Sequence, residues 1–211
     1  MIRYLIADPI GGFIRLLYMF PALVLGFTVH EFAHSFAALK MGDTSQKESG
    51  RLTLNPLKHI DTAGLVFFLL FGFGWAKPVE INRFLYDDRK KGDIVVSLAG
   101  IAGNLILCIL GALLYSVIPR FGAFGIVSNL MYQVMNVNSN LFALNLLPIP
   151  PLDGSKIIKA IAPAKDDIWV QLERYGFIIL FVLSVSGILG RVLGVISSAL
   201  IYFSMFVWSF L

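Results

Sequence analysis

His30-Glu31-Phe32-Ala33-His34 sets two imidazoles four residues apart, with a carboxylate beside the first. On a helix that spacing brings both rings to one face, where they can grip a single zinc ion. Glu31 is then within reach of a water on the metal. Zinc lowers the pKa of such a water toward about 7, and a neighbouring carboxylate can take its proton and hand it to a leaving amine. The competing reading is a set of ordinary helix residues satisfied by their neighbours. Two observations weigh against it. The motif lies in an apolar segment, where a charge at the bilayer centre costs at least about 2.5 kcal/mol. Two of the chain's three histidines are also spent on it.

A catalytic zinc site takes three protein ligands and keeps one position open. Ionisable residues near the other apolar segments are few, and Asp153 stands out because it follows the break Pro148-Ile149-Pro150-Pro151. An aspartate there serves equally well as the N-cap of a helix over 154–162. Spacing alone leaves ligation and capping both open.

The elements that carry these residues are apolar. Of the 211 residues 57% are hydrophobic and only 14% charged, with a mean hydropathy of +0.80, against about a quarter charged in ordinary globular domains. The charges clump between long uncharged stretches, which describes an all-α polytopic membrane protein. Long apolar segments cover 12–41, 94–118 and 126–147, and a helical hairpin over about 175–211 turns at Gly190-Arg191. Residues 62–75 are too short to span. No cleavable signal peptide is expected, since Asp8 and Pro9 interrupt the first apolar run. Cys108 reads as a small packing residue.

The net charge of +4 comes from loop lysines and arginines. It implies contact with lipid headgroups and an orientation signal, with no nucleic-acid partner. Loops holding Lys40, Lys47, Arg51 and Lys58, then Lys77, Arg83, Arg89, Lys90 and Lys91, then Lys156, Lys159, Lys165 and Arg174, are placed in the cytoplasm. The 62–75 segment lies between two of them, so it is expected to enter the membrane and return. Residues 72–79 leave it as an extended strand, which could pair with an unwound substrate or act as an interfacial Trp/Lys anchor. Ala99, Gly100 and Gly103 form a small-residue packing surface with no assigned catalytic role.

With these motifs in place, the chain resembles the site-2 protease family of intramembrane zinc metalloproteases. That family pairs an H-E-x-x-H helix with N-x-x-P-x-x-x-x-D-G. Here the second motif runs from Asn145 through Pro148 to Asp153-Gly154 without a mismatch. The resemblance implies His30, His34 and Asp153 as ligands of one zinc per chain, Glu31 as the catalytic acid/base, and Asn145 beside the active site. As a side-chain donor Asn145 could hold a substrate carbonyl or an oxyanion; alternatively it bonds carbonyls freed by the proline break. Asn129 and Asn136 are read as structural, and Asn140 as a possible lining of the same cavity. Gly50-Arg51-Leu52-Thr53-Leu54-Asn55-Pro56, Gly74-Trp75-Ala76-Lys77-Pro78-Val79 and Ser97-Leu98-Ala99-Gly100 are also similar to the family, over about residues 12–160. Thr62 and Ile101 depart from it, standing where relatives carry proline.

The expectation is one domain over 1–211 in a bacterial or archaeal cell membrane. It has a core over about 12–160 and no PDZ or CBS module. Its partners are the lipid bilayer and transmembrane protein substrates, cleaved within or next to their spans by zinc-bound water activated by Glu31. Two other functions fit the same residues. A zinc-binding scaffold would not need Glu31, and a metal or ion transporter would be expected to show inverted repeats, which the sequence lacks.

Overall fold

A computed structural model describes residues 7–71, 74–118, 125–162 and 166–209, side chains at 68–71 and 166 excepted. The described residues are helical with connecting loops, and none of them forms a strand. The 32-residue helix α1 (Pro9–Lys40) starts where Pro9 follows the cap residue Asp8, whose Oδ1 accepts from Gly11 N at 3.0 Å. It ends because Gly42 takes φ +109°, a left-handed conformation glycine tolerates without strain. A single turn, α2 (Ser45–Glu48), and the 10-residue α3 (Thr62–Phe71) follow. Next come α4 (Arg89–Val117), capped by Asp88, and α5 (Gly125–Asn145). The last three are α6 (Asp153–Ile161), α7 (Asp166–Val185) and α8 (Ile188–Trp208).

Helices α1, α4 and α5 pack against one another; α6 lies on α4, and α8 covers α4 and α5. Ala22 and Leu23 of α1 meet Val134, Val137 and Leu141 of α5 in one core cluster. Cys108 and Ala112 of α4 meet Met135 of α5, with Leu200, Met205 and Trp208 of α8 over them. Cys108 is therefore the packing residue expected.

Three expectations change. Four helices, α1, α4, α7 and α8, are long and apolar enough to cross a membrane, consistent with a multi-pass membrane protein. Helix α5 has the length, 21 residues, or about 31 Å, but not the hydropathy. Gln133 and Asn138 are buried where α1, α4 and α8 pack on it, Asn136, Asn140 and Asn145 are half-buried, and Asn129 is exposed. The C-terminal turn falls at Gly187 (φ +78°) rather than at Gly190-Arg191, because Gly187 takes the left-handed conformation.

The strand expected over 72–79 is the third. Residues 72 and 73 lie outside the described ones, and 74–82 run without ladder pairing. The chain does fold back there. Lys77 N donates to the carbonyl of His59 at 2.8 Å. The Trp75 carbonyl lies 2.0 Å from where a β-carbon on Gly64 would sit. Trp75 also packs tilted against Phe67 and edge-to-face with Phe177, with ring centroids 5.1 and 5.2 Å away.

Candidate metal centre

Helix α1 delivers His30, Glu31 and His34 on one buried face. The proline break after α5 lets α6 begin beside them. Gly154 makes this approach possible: a β-carbon there would come within 2.5 Å of the Leu146 carbonyl and 2.6 Å of that of Leu147. Asp153 occupies the first turn of α6 but makes no capping hydrogen bond. Its Oδ2 lies 3.2 Å from His30 Nε2 and 3.0 Å from His34 Nε2, and those two nitrogens are 2.9 Å apart. Its Oδ1 accepts from Lys156 Nζ at 2.9 Å. The Asp153 carboxylate thus faces the histidines, and Leu152 takes the N-cap position of α6. The three residues form a buried triad of metal-ligating type.

The donor atoms explain why the triad suits a cation. His34 Nδ1 faces the Val96 carbonyl at 2.7 Å, and a carbonyl only accepts, so that nitrogen carries the proton. His30 Nδ1 faces Asn104 Oδ1 at 2.8 Å. The Asn104 amide nitrogen donates to the Gly26 carbonyl at 3.2 Å and to Asn138 Oδ1 at 3.0 Å, which fixes its oxygen as an acceptor. His30 Nδ1 is therefore also a donor. Both Nε2 atoms then present lone pairs to each other and to Asp153 Oδ2, which has no hydrogen-bond partner. Protonating both rings instead would set two positive charges at 2.9 Å, a repulsion of about 6 kcal/mol at an effective dielectric of about 20. One divalent cation satisfies all three lone pairs, and the donor set of two imidazoles and a carboxylate suits zinc.

Glu31 lines the same cavity, of about 150 Å³, and its Oε2 accepts from Val79 N at 3.0 Å. The loop over 74–82 therefore holds the carboxylate beside the triad. That loop is anchored in turn by Asp43, just past α1. Its Oδ2 accepts from Asn82 N and Gln46 Nε2, each at 2.9 Å, and its Oδ1 from Ser45 N at 3.1 Å. Burial alone would raise the Asp43 carboxyl, but these donors and the Ser45 hydroxyl hold it below the usual carboxylate range. Nearby, burial and the charge of Asp43 push the Tyr86 phenol up.

Asn145 also lines the triad cavity, and its Nδ2 donates back to the Leu141 carbonyl at 3.1 Å. A second cavity of about 200 Å³ shares His34, Val79, Ile81 and Lys156 with the first and adds Arg83, Asp93 and Ser97. It gives the triad a polar side on the face of the basic loops.

Two residues of this centre were not assigned from the sequence. Asn104 sets the tautomer of His30. Gly100 is the floor beneath both rings: a β-carbon there would stand 2.4 Å from His34 Cε1 and 2.7 Å from His30 Cε1. Their spacing, four apart on an apolar helix, was the available signal. His59, the histidine outside the motif, is buried, with Nε2 2.8 Å from the Thr53 carbonyl; it plays no part in the triad.

No family model matches the chain, and no solved structure matches it. Among curated proteins it is 40% identical over 179 residues to the candidate zinc metalloprotease YwhC of Bacillus subtilis, covering 80% of each chain. It is 34% identical over 187 residues to Rip2 of Mycolicibacterium smegmatis, named in the same way, across 80% of this chain and 66% of that one. It is 30% identical over 161 residues to Rip2 of Mycobacterium tuberculosis, across 67% and 60%. The chain belongs to the site-2 protease family of zinc metalloproteases.

Proposed function

We propose that this metalloprotease cleaves peptide bonds within or next to the transmembrane segments of other proteins, with His30, His34 and Asp153 holding one zinc ion and Glu31 as acid/base. The observation that carries the reading is the convergence of three buried lone pairs beside a carboxylate, on a helix long and apolar enough to span. Lys40 ends α1 on the basic-loop side. His34 and His30 lie six and ten residues before it, or about 9 and 15 Å deep.

Zinc, when bound, supplies Lewis-acid polarisation of a water and of the scissile carbonyl. The remaining work falls to the chain. Glu31 takes one proton from the attacking water as the carbon–oxygen bond forms. It returns that proton to the amide nitrogen as the carbon–nitrogen bond breaks, leaving a carboxylate and an amine. Val79 N–H holds one Glu31 oxygen in place, which leaves the other for the proton. Lys156 holds the outer oxygen of Asp153 so that the inner one faces the imidazoles. Asn145 has one amide proton committed to Leu141, and its second can meet a substrate carbonyl. The excursion from His59 to Lys77, with α3 inside it, reads as a re-entrant wall that shields the cavity from lipid.

Metal analysis and hydrolysis of a single-span protein substrate in proteoliposomes test this together. Glu31→Gln is expected to keep about one zinc per chain and lose cleavage, and His34→Ala to lose the metal. Cleavage at a wild-type rate by Glu31→Gln would remove Glu31 from the chemistry. Equal zinc in wild type and His34→Ala would remove His34 from the site.

A further inference from the structure

A third cavity, of about 420 Å³, adjoins the triad cavity and shares Phe27, Gly74, Leu141 and Leu144 with it. It runs along α5 away from the basic-loop end, between α1 and the α7–α8 turn. Apolar side chains from Met19 and Leu23 to Leu189 and Leu193 line it, together with the polar Arg15 and Ser184. The exceptions on α5 are Asn136 and Asn140, both half-buried.

Their amides are incompletely used. Asn140 Nδ2 donates to the Asn136 carbonyl at 2.8 Å and to Asn136 Oδ1 at 3.2 Å. That leaves Asn140 Oδ1 as a free acceptor and Asn136 Nδ2 as a free donor, with no partner among the described residues. One turn further out on the same helical face, Gln133 Oε1 is buried and also has no partner. Unpaired amides along a route through hydrocarbon are expensive unless a ligand completes them.

Their spacing identifies what completes them. Four residues along a helix advance about 6 Å. The backbone groups along one edge of an extended chain repeat every two residues, about 6.6 Å. Asn136 and Asn140 thus match the repeat of a peptide edge. They lie nine and five residues before Asn145, about 14 and 8 Å outward along the helix. At about 3.3 Å per residue those distances correspond to roughly four and two residues of extended chain beyond the triad cavity.

We propose that Asn136 and Asn140 form an amide ladder that holds the unwound, extended stretch of a transmembrane substrate on the outer side of the scissile bond. The ladder rests on the protease reading and names its substrate class: spans that open by about four residues on that side. Asn136, read as structural from the sequence, becomes a specificity-determining residue.

The test uses the full chain with zinc in proteoliposomes and a synthetic single-span Leu/Ala peptide interrupted by a Gly-Ser segment, its cut site mapped by mass spectrometry. Asn136→Leu and Asn140→Leu are expected to keep wild-type zinc content and to lower kcat/KM about five- to tenfold each, the loss of one net hydrogen bond. Asn140→Gln should recover part of the loss. An ester in place of the amide two residues outward from the cut removes the N–H that Asn140 accepts. It should slow the wild type by a similar factor and leave Asn140→Leu unaffected. Binding of the same peptide by energy transfer, in a Glu31→Gln background, is read in parallel. Unchanged kcat/KM and binding in both leucine variants, or an ester effect that persists in full in Asn140→Leu, overturns the ladder. Binding that weakens in the leucine variants while the wild type cuts no peptide supports the ladder and counts against the protease reading alone.

Discussion

Gly100 and Asn104 show how much of a metal centre lies outside its ligands. Asn104 fixes the protonated nitrogen of His30 and is itself fixed by Gly26 and Asn138, so three helices set one tautomer. Partners of this kind typically account for about 10–100-fold in metal affinity. Asn104→Leu is therefore expected to weaken zinc retention by about that factor in a chelator competition, with helix content unchanged by circular dichroism. Gly100→Ala should do more, since its methyl group would stand 2.5 Å from His34 Nε2. Wild-type zinc retention in Gly100→Ala would mean that the rings do not rest on α4. The ligand helix was legible in the sequence because i, i+4 spacing is a local property. The i, i+4 spacing of Gly100 and Asn104 puts them on one face of α4, but that this face meets α1 depends on packing, which the spacing does not record.

Among the elements, the loop over 74–86 was the least legible and the most consequential. Residues 72–79 suggested a strand, but a strand needs a partner, and the described residues offer none. Besides the backbone bond from Lys77 N to the His59 carbonyl, side chains hold the loop. Asp43 grips Asn82 at one point and Glu31 meets Val79 at another. The depressed Asp43 carboxyl gives this anchor a definite pH dependence. A folded pKa below the unfolded value of about 4 adds stability that is complete above that value. It is lost as pH falls through the lower folded value. Protection of amides 79–86, taken relative to their intrinsic exchange rates, should therefore hold from pH 7 to about 5 and fall below about 4. Asp43→Asn should exchange faster already at pH 7, with reduced cleavage, because the segment that positions Glu31 is loosened. Protection equal to wild type in Asp43→Asn at pH 7 would assign the loop's order to other contacts. The proline break after α5 was legible in advance for a complementary reason. Proline acts on the backbone directly, so Pro148, Pro150 and Pro151 announced where the helix must stop, while the close approach at Gly154 emerged only from the packing.

At the scale of the whole molecule, the course of α8 departs from a simple hairpin that crosses the membrane twice. Its first turns sit at the triad end, with Leu189 packed against Leu144 and Leu152. Its far end reaches the opposite end of α4, where Trp208 Nε1 donates to the Ile109 carbonyl at 3.0 Å and Met205 contacts Ser116. Helix α4 begins at Arg89, among the basic residues, and finishes at Val117, eight residues before Gly125 opens α5. The positive-inside rule puts Arg89 in the cytoplasm and the Val117 end of α4 outside. Helix α8 then runs outward, and Ser209 emerges on the outer face. A hairpin with two complete crossings would return it to the cytoplasm. Single cysteines in a Cys108→Ser background, labelled with a membrane-impermeant thiol reagent, separate the two courses. Leu57 marks the basic-loop face at 80% exposure, and Ile126 marks the other at 69%. Cysteine at 209 is expected to label with the Ile126 position, from outside, and to stay unlabelled when only the cytoplasmic face is reached. Labelling together with the Leu57 position would return α8 to the cytoplasm. It would also break the alignment of α8 with α4 and α5, and with it the outer wall that the Asn136–Asn140 cavity requires.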